Sequence, residues 1–179
     1  LVGEAVLQQL LNDESCSQIR VWARSPGGDS AEKLNWHQVD FEQLSDEIDC
    51  QGLDLVLCCL GTTTAKAGKA GLERVDLDYV MACAQSAKAA GVENFAVISS
   101  LGANASSPVH YSRTKGRMEA ALVATGFECL NILRPSLLMG PRREHRPGEA
   151  LGQRMAPLLN FLLLGPLKRY RPIEANQVA

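Results

Sequence analysis

Tyr111 and Lys115 are the two residues of this chain whose types and spacing are best suited to proton transfer. A separation of four positions places both side chains on one face of a helix. A phenol titrates near ~10, and an ammonium beside it favours the phenolate, so proton exchange comes within reach at neutral pH. The apolar segment 95–98 is typical of a strand, and it ends in Ser99 and Ser100. A serine hydroxyl there could bind the carbonyl oxygen that gains or loses the proton.

The motif and the serine each leave an alternative open. A Tyr-x-x-x-Lys spacing occurs by chance in many helices, so its surroundings must support the functional interpretation. Two serines are candidates for the third catalytic group. Ser100 fits best by counting from the strand, and Ser99 fits best by the distance back from Tyr111. We favour Ser100.

The composition indicates one domain, residues 1–179, with 18 basic and 20 acidic residues and no basic stripe for nucleic acid. The six cysteines form no Cys-x-x-Cys pair and mostly lie in apolar runs, which favours reduced thiols in a cytoplasmic protein over disulfides. The three histidines lack metal-ligand spacing, so we expect no metal. The longest apolar stretch, 158–167, is far shorter than the ~20 residues of a membrane span. We therefore expect a soluble protein without membrane association.

Helical and strand patterns alternate along the chain. Strand patterns cover 19–23, 36–40, 53–60, 95–99 and 128–133. Helical spacing covers 3–11, a long segment through 72–86 that Gly91 ends, 111–125, and a last segment from 147 or 148 towards 164 with a break at Pro157. This order predicts an α/β fold with a doubly wound parallel sheet and helices on both faces, in three α/β/α layers.

Both ends of the chain lie close to regular elements. A helical pattern starts at once with no strand before it, and residues 174–179 look like the opening of another helix. We expect these 179 residues to belong to a longer chain that adds a first strand and a C-terminal end.

Together, the alternating order, the Tyr-x-x-x-Lys motif and the preceding serine resemble the short-chain dehydrogenase/reductase superfamily. Further strings sharpen the match, namely Cys58-Cys59-Leu60-Gly61-Thr62-Thr63, the segment 74–80 and Arg146-Pro147-Gly148-Glu149. With them the chain closely resembles the Tat-interacting oxidoreductases, an atypical branch of the superfamily, over essentially its whole length. The resemblance implies an NAD(P)-binding Rossmann fold.

In the first half of the chain, the resemblance implies four cofactor-binding residues. Gly3 matches the last glycine of a Gly-x-x-Gly-x-x-Gly turn whose first two glycines would precede residue 1. Arg24 and Ser25 follow the 19–23 strand, where an arginine accommodates the 2′-phosphate of NADP. Asp40 matches a position near the adenine edge. Considered alone, Gly3 is an ordinary loop glycine, Arg24 a solvated strand-end arginine, and Asp40 an unremarkable loop residue.

In the second half, the resemblance adds residues at the ends of later strands. Leu60 and Gly61 lie where open α/β sheets bind ligands, and a glycine there allows close approach of a ribose. Leu138 belongs to a segment that resembles the nicotinamide lining, and Arg146 matches a position near the cofactor and substrate mouth. Considered alone, Leu60 and Gly61 fit a plain turn, and Arg146 fits a solvated loop. Asp76 takes the place of an asparagine that supports a proton relay in many members, and we do not count it as catalytic.

The resemblance implies an NADP(H)-dependent oxidoreductase, with NAD(H) less favoured, acting on a small carbonyl or alcohol. Tyr111 would be the general acid/base, Lys115 would favour its phenolate and hold the nicotinamide ribose, and Ser100 would orient the substrate carbonyl. Tyr111 and Lys115 would thus also contact the cofactor. Two rivals remain. One is an NADPH-binding regulatory or redox-sensing protein that acts through a protein partner without turnover, and the other is a Rossmann scaffold without a nucleotide site. Many relatives are homo-oligomers, so the resemblance implies a possible homo-oligomer, which no feature of the sequence itself indicates.

Overall fold

The structure, a computed structural model, describes residues 1–25, 27–140 and 165–179, in which helices alternate with parallel strands. The helices are α1 (Val2–Asn12), α2 (Leu44–Glu47), α3 (Thr64–Glu73), α4 (Tyr79–Ala89), α5 (His110–Ala124) and α6 (Ala175–Val178). The strands are β1 (Ile19–Ala23), β2 (Leu34–Gln38), β3 (Leu55–Cys58), β4 (Asn94–Ile98), β5 (Cys129–Leu133), β6 (Leu138–Met139) and β7 (Ile173–Glu174). Short 3₁₀ turns cover Phe41–Gln43 and Gly165–Tyr170, and a π-helical turn covers Arg74–Asp78.

All the strand pairs of the described residues are parallel, which confirms the predicted α/β class. β1 pairs with β2, β4 lies between β3 and β5, and β6 pairs with β7. Each consecutive pair of neighbouring strands from β3 to β5 is joined through helices, as a doubly wound sheet requires. β1 and β3 are not paired with each other within the described ranges, and Leu55 and Leu57 of β3 are exposed.

Two strands differ from their predicted bounds by two residues at each end, and polar contacts explain where each of them ends; β4 and β5 differ from theirs by one residue. β2 occupies 34–38 instead of 36–40, because Asp40 leaves the strand and accepts a hydrogen bond from the Glu42 amide at the following turn. β3 occupies 55–58 instead of 53–60. Its predicted last residues turn out of the sheet, since the Thr62 amide donates to the Asp76 carboxylate at 2.7 Å. Apolar character alone does not reveal either exit.

The long helix expected before Gly91 is a helical segment that changes its winding. α3 runs into the π turn Arg74–Asp78 and then into α4, and the segment ends just before Gly91, whose φ of +81° suits glycine. The wider π turn adds one residue to the helical backbone and is often found at functional sites. Here it carries Asp76, which is completely buried, while its neighbour Asp78 is exposed.

The main core lies between the β3–β5 sheet and helices α4 and α5. Phe95 of β4 stacks on Phe127 with ring centroids 4.9 Å apart. Val80 of α4 and Met118 and Leu122 of α5 are fully buried against this sheet. A smaller cluster of Leu7, Ile19 and Leu34 holds α1 against β1 and β2. This packing fixes α5, with its Tyr-x-x-x-Lys motif, beside the carboxyl ends of β3 and β4.

Two further expectations concern the C-terminal region and the cysteines. The helix expected from 147 or 148 to 164 lies outside the described residues, whereas the helical opening expected at 174–179 is present as α6. All six cysteines are free thiols. Three of them are buried in the core as predicted, but Cys59 and Cys129 are exposed.

Candidate functional site

The candidate site lies at the carboxyl ends of β3 and β4, where the chain leaves the sheet towards α3 and α5. The segment 60–62 follows β3, and Ser99 and Ser100 follow β4. α5 crosses the same edge and presents Tyr111 and Lys115. Carboxyl ends of parallel strands are the usual ligand-binding edge of an open α/β sheet.

Lys115 is the central residue of this edge, because its buried ammonium connects three elements. Its Nζ lies 2.8 Å from Asp76 Oδ1 and donates to the carbonyl oxygen of Ile98, the last residue of β4, at 3.0 Å. The other Asp76 oxygen accepts the Thr62 amide at 2.7 Å. Only 4% of the Lys115 side chain and 1% of the Asp76 side chain are exposed. A buried charge is tolerated when it is paired and hydrogen-bonded, and this pair meets both conditions.

Gly61 leaves open space directly beside this ion pair. A Cβ on Gly61 would lie 3.4 Å from Asp76 Oδ1 and 4.0 Å from Lys115 Nζ. Gly61 itself is exposed, although the carboxylate and ammonium beneath it are buried. The missing side chain therefore creates a cradle in which a ligand hydroxyl can approach the backbone and the ammonium. The structure thus brings Gly61 and Lys115 together.

The two candidate serines have different environments. Ser99 is buried and its hydroxyl donates to Glu119 Oε1. Arg134 donates to the two oxygens of the same carboxylate, at 2.9 Å from Nε and 2.5 Å from Nη2. These hydrogen bonds and the neighbouring negative charge raise the pKa of Arg134. Ser99 is thereby committed to a structural network, and the half-buried Ser100 is the serine whose hydroxyl has no described partner.

Tyr111 lies in the first turn of α5, one helical turn before Lys115. The residue is half-buried, and its hydroxyl forms no hydrogen bond with any residue in the described part of the chain. Its neighbour His110 is anchored at the ring, since Nε2 lies 3.2 Å from the Lys69 carbonyl oxygen. Tyr111 therefore stands on an anchored turn with a hydroxyl that a ligand can engage.

The loop between Ser100 and α5 is attached closely to that helix. The Asn104 amide donates to the Ser112 carbonyl at 3.0 Å, and Arg113 donates to the Ser107 carbonyl at 2.8 Å. A Cβ on Gly116 would lie 2.1 Å from the Ala105 nitrogen, so only glycine permits this approach. Gly116 was not singled out from the sequence, and its position next to Lys115 was the only available signal.

Of the cofactor residues predicted in the first half of the chain, two are exposed at the end of β1 and two have structural contacts. Gly3 is the second residue of α1, and a Cβ there would lie 3.2 Å from the Cβ of Cys59, so the start of this helix lies close to the end of β3. Arg24 and Ser25 are exposed at the end of β1, and Arg24 forms no ion pair within the described ranges. Asp40 has a structural contact as well, because it caps the turn at Phe41–Gln43.

The two remaining predicted residues follow β5. Leu138 is half-buried and forms β6, where it pairs with Ile173. Arg146 lies outside the described residues. Among the residues that the structure describes, no group of three His, Cys, Asp or Glu side chains could hold a metal ion, and no helix is long and apolar enough to cross a membrane.

The parallel strands, the helical crossovers and the cradle at the carboxyl ends of β3 and β4 define a Rossmann-type nucleotide-binding protein. The NAD(P)H-binding family model matches residues 1–153, and the chain belongs to that family. This membership and the relatives below confirm the resemblance to the atypical short-chain branch.

Two curated relatives are similar over most of this chain. Protein HTATIP2 of Rattus norvegicus is 38% identical over 85% of this chain and 64% of its own length. Protein FMP52, mitochondrial, of Candida albicans is 33% identical over 99% of this chain and 80% of its own length. The chain thus spans less than two thirds of the rat protein.

Solved structures share the fold at low sequence identity. The UDP-Glc/GlcNAc 4-epimerase from Campylobacter jejuni superposes with a TM-score of 0.72 and 13% identity, covering 99% of this chain and 68% of that chain. Pen from Bacillus thuringiensis superposes with a TM-score of 0.69 and 16% identity, covering 98% and 59%. At such identities the likeness concerns the fold alone.

Proposed function

We propose that this protein is an NADP(H)-dependent oxidoreductase that transfers hydride to or from a small carbonyl or alcohol substrate. The observation that carries the proposal is the geometry around Lys115. Its ammonium is held at the ligand-binding edge beside the Gly61 cradle, and Tyr111 stands one turn earlier with an uncommitted hydroxyl. Nucleotide binding alone needs no proton donor, so this pairing favours chemistry.

The residues present fit a nicotinamide nucleotide at the cradle. An ammonium has three N–H donors, and Lys115 uses one of them in a hydrogen bond to the Ile98 carbonyl, while its contact with Asp76 Oδ1 at 2.8 Å is an ion pair without a hydrogen bond. A donor is therefore left to hold a ribose hydroxyl. The cofactor, when bound, supplies hydride chemistry. Tyr111 gives a proton to the carbonyl oxygen in reduction and takes it back in oxidation, while Ser100 donates a hydrogen bond to that oxygen.

The preference for NADP(H) over NAD(H) is supported by Arg24. Its guanidinium is exposed at the end of β1, where a 2′-phosphate would be recognised, and it is not engaged by a carboxylate within the described residues. The proposal is tested by titrating the full-length protein with NADPH and NADH, followed by a panel of small aldehydes, ketones and alcohols monitored by nicotinamide absorbance. Binding with turnover of at least one substrate is expected. Absence of binding for both nucleotides would refute the proposal.

A second candidate function, an NADPH-binding regulator acting through a protein partner without turnover, is favoured by one observation. The Lys115 ammonium is compensated by the Asp76 carboxylate at 2.8 Å. A compensated ammonium stabilises a neighbouring phenolate less than a free one does. The two candidates differ in one measurement: a regulator binds NADPH but shows no Tyr111-dependent turnover on the carbonyl panel.

We further propose that the protein acts in the cytoplasm, as a homo-oligomer or with a regulatory protein partner, and without binding nucleic acid or membranes. The relative from Candida albicans carries the word mitochondrial in its name, so mitochondria are the competing location. Fractionation of cells that express the untagged full-length protein separates the two locations. Sedimentation velocity with and without NADPH measures the oligomeric state.

A further inference from the structure

The Asp76 carboxylate binds two parts of the candidate site at once. One oxygen lies 2.8 Å from the Lys115 ammonium, and the other accepts the Thr62 amide at 2.7 Å. Thr62 directly follows Gly61, which forms the cradle. A single buried carboxylate therefore links the position of the ammonium to that of the turn that surrounds the ligand.

We infer that Asp76 is the positioning residue of the nucleotide site, which holds Lys115 and the Gly61–Thr62 turn in their binding geometry. The inference rests on the proposed nucleotide-binding function and extends it to a residue that has no catalytic role in the predicted site. In this role Asp76 acts through the two groups that it holds.

The π turn explains how Asp76 reaches this position. The turn covers Arg74–Asp78, and within it Asp76 is completely buried while Arg74 and Asp78 are exposed. The extra residue of a π turn rotates the following helix relative to the preceding one. The Asp76 carboxylate is thereby directed into the protein, while the side chains of Arg74 and Asp78 remain exposed.

A carboxylate meets the demands of this position, whereas the isosteric amide does not. Both contacts of Asp76 come from donors, the Lys115 ammonium and the Thr62 amide. Asparagine has one acceptor oxygen and one NH₂ donor group, so it satisfies one contact and opposes the other. Asp76→Asn therefore leaves either the ammonium or the turn without its partner, in a buried place where the loss is large.

The inference is tested with a double-mutant cycle on the full chain, made of the parent, Asp76→Asn, Lys115→Met and the double variant. NADPH affinity and thermal unfolding are measured for each protein. Asp78→Asn is the matched control, because it makes the same change at an exposed position in the same π turn. We expect Asp76→Asn to weaken NADPH binding by roughly tenfold or more in the parent, and by a smaller factor once Lys115 is absent, because only the contact with the Gly61–Thr62 turn can then still be lost. Asp78→Asn should leave both measurements unchanged.

Thermal unfolding supplies a readout that is independent of the nucleotide. Asp76→Asn should lower the midpoint in the parent, where it breaks an ion pair. The same change should raise the midpoint in the Lys115→Met protein, because it removes a buried charge that has lost its partner. If Asp76→Asn does not fold, Asp76→Glu takes its place in the same cycle, since it keeps the charge but displaces the carboxylate by one methylene.

The outcomes distinguish this inference from the proposed function. If the parent binds neither NADPH nor NADH, the proposed function fails, and the nucleotide-positioning role of Asp76 fails with it. If the parent binds NADPH and Asp76→Asn binds equally well, only the inference is overturned. Equal weakening in the parent and in the Lys115→Met background also overturns it, because Asp76 would then act independently of the lysine.

Discussion

Gly116→Ala should lower the stability of this protein, although replacing a glycine inside a helix with alanine usually raises stability. In an exposed helix interior, replacing glycine with alanine stabilises a protein by about 1 kcal/mol. Here the added Cβ would lie 2.1 Å from the Ala105 nitrogen and 2.2 Å from the Asn104 carbonyl carbon. Both atoms belong to backbone that is hydrogen-bonded to α5 at Ser112. The loop therefore has to move, and no flexible side chain can absorb the clash.

The size of the effect follows from these distances. Relief to an ordinary contact of 3.4 Å requires the loop to retreat by about 1.3 Å. Overpacking of this kind costs about 1–3 kcal/mol. For a protein of this size each kcal/mol lowers the unfolding midpoint by about 2–4 °C, so a decrease of about 2–12 °C is expected. Ser100 begins the same loop and its carbonyl accepts the Ala103 amide, so a shift near 1 Å could also lower turnover by as much as about 10²-fold.

Differential scanning fluorimetry of the full-length protein, and steady-state kinetics once a substrate is known, measure the two effects. Gly28→Ala is the stability control, because a Cβ there meets no atom within 4 Å. It should be neutral or stabilising by up to about 1 kcal/mol. A Gly116→Ala protein that melts at or above the parent midpoint would refute the close packing of the loop on α5.

Three further variants test single residues of the proposed site. One charge-assisted contact between Arg24 and the 2′-phosphate should give the parent a preference for NADPH over NADH of about tenfold or more. Arg24→Ala should remove most of this preference and leave the affinity for NADH unchanged. Equal affinities for the two nucleotides in the parent would contradict the role of Arg24. Tyr111→Phe should slow the chemical step by roughly 10²–10⁴-fold, the usual contribution of a general acid/base. NADPH affinity and the melting midpoint should change little, because the Tyr111 hydroxyl has no hydrogen-bond partner among the described residues. Full retention of turnover would exclude Tyr111 as the proton donor. Gly61→Ala should keep the parent melting midpoint, because its Cβ would meet neighbours at ordinary distances of 3.4 Å and 4.0 Å, but weaken NADPH binding about tenfold or more by filling the cradle. Unchanged NADPH affinity in that variant would place the nucleotide elsewhere.

Local sequence patterns predicted most of the elements that build this site. The apolar segment at 95–98 lies in β4, a parallel strand whose residues 95–97 are buried, and a strand buried on both faces must be apolar along its length. The segment predicted at 128–133 also forms a parallel strand, at 129–133. The spacing of Tyr111 and Lys115 fits α5 as observed, since side-chain periodicity is a property of the helix alone. Gly126, two residues after α5, has a φ of +69° that suits the end of a helix. Each of these features depends on neighbours close in the sequence.

The features that sequence reasoning missed depend on contacts between distant segments. The choice between Ser99 and Ser100 turns on Glu119, which lies on α5 and accepts the Ser99 hydroxyl. No pattern near the serines reports this hydrogen bond. The early end of β3 has the same origin, because the Thr62 amide, just beyond the predicted strand, donates to Asp76, fourteen positions later. A buried carboxylate in a helical segment is a local inconsistency, and such inconsistencies concentrate at functional sites.

The charge balance around Lys115 finally connects the enzyme and regulator candidates. With Asp76 ionised, the pair is neutral, and 1% exposure of the carboxylate keeps water from screening it. The field of this ammonium is therefore largely cancelled, and proton transfer at Tyr111 must rely on positioning and on Ser100 more than on the lysine charge. An enzyme built this way should lose much of its turnover on Ser100→Ala, whereas a regulator should bind NADPH and its partner equally well with alanine at that position. The same neutral pair suits both roles as a nucleotide anchor, so the serine, and not the lysine, is the residue that separates them.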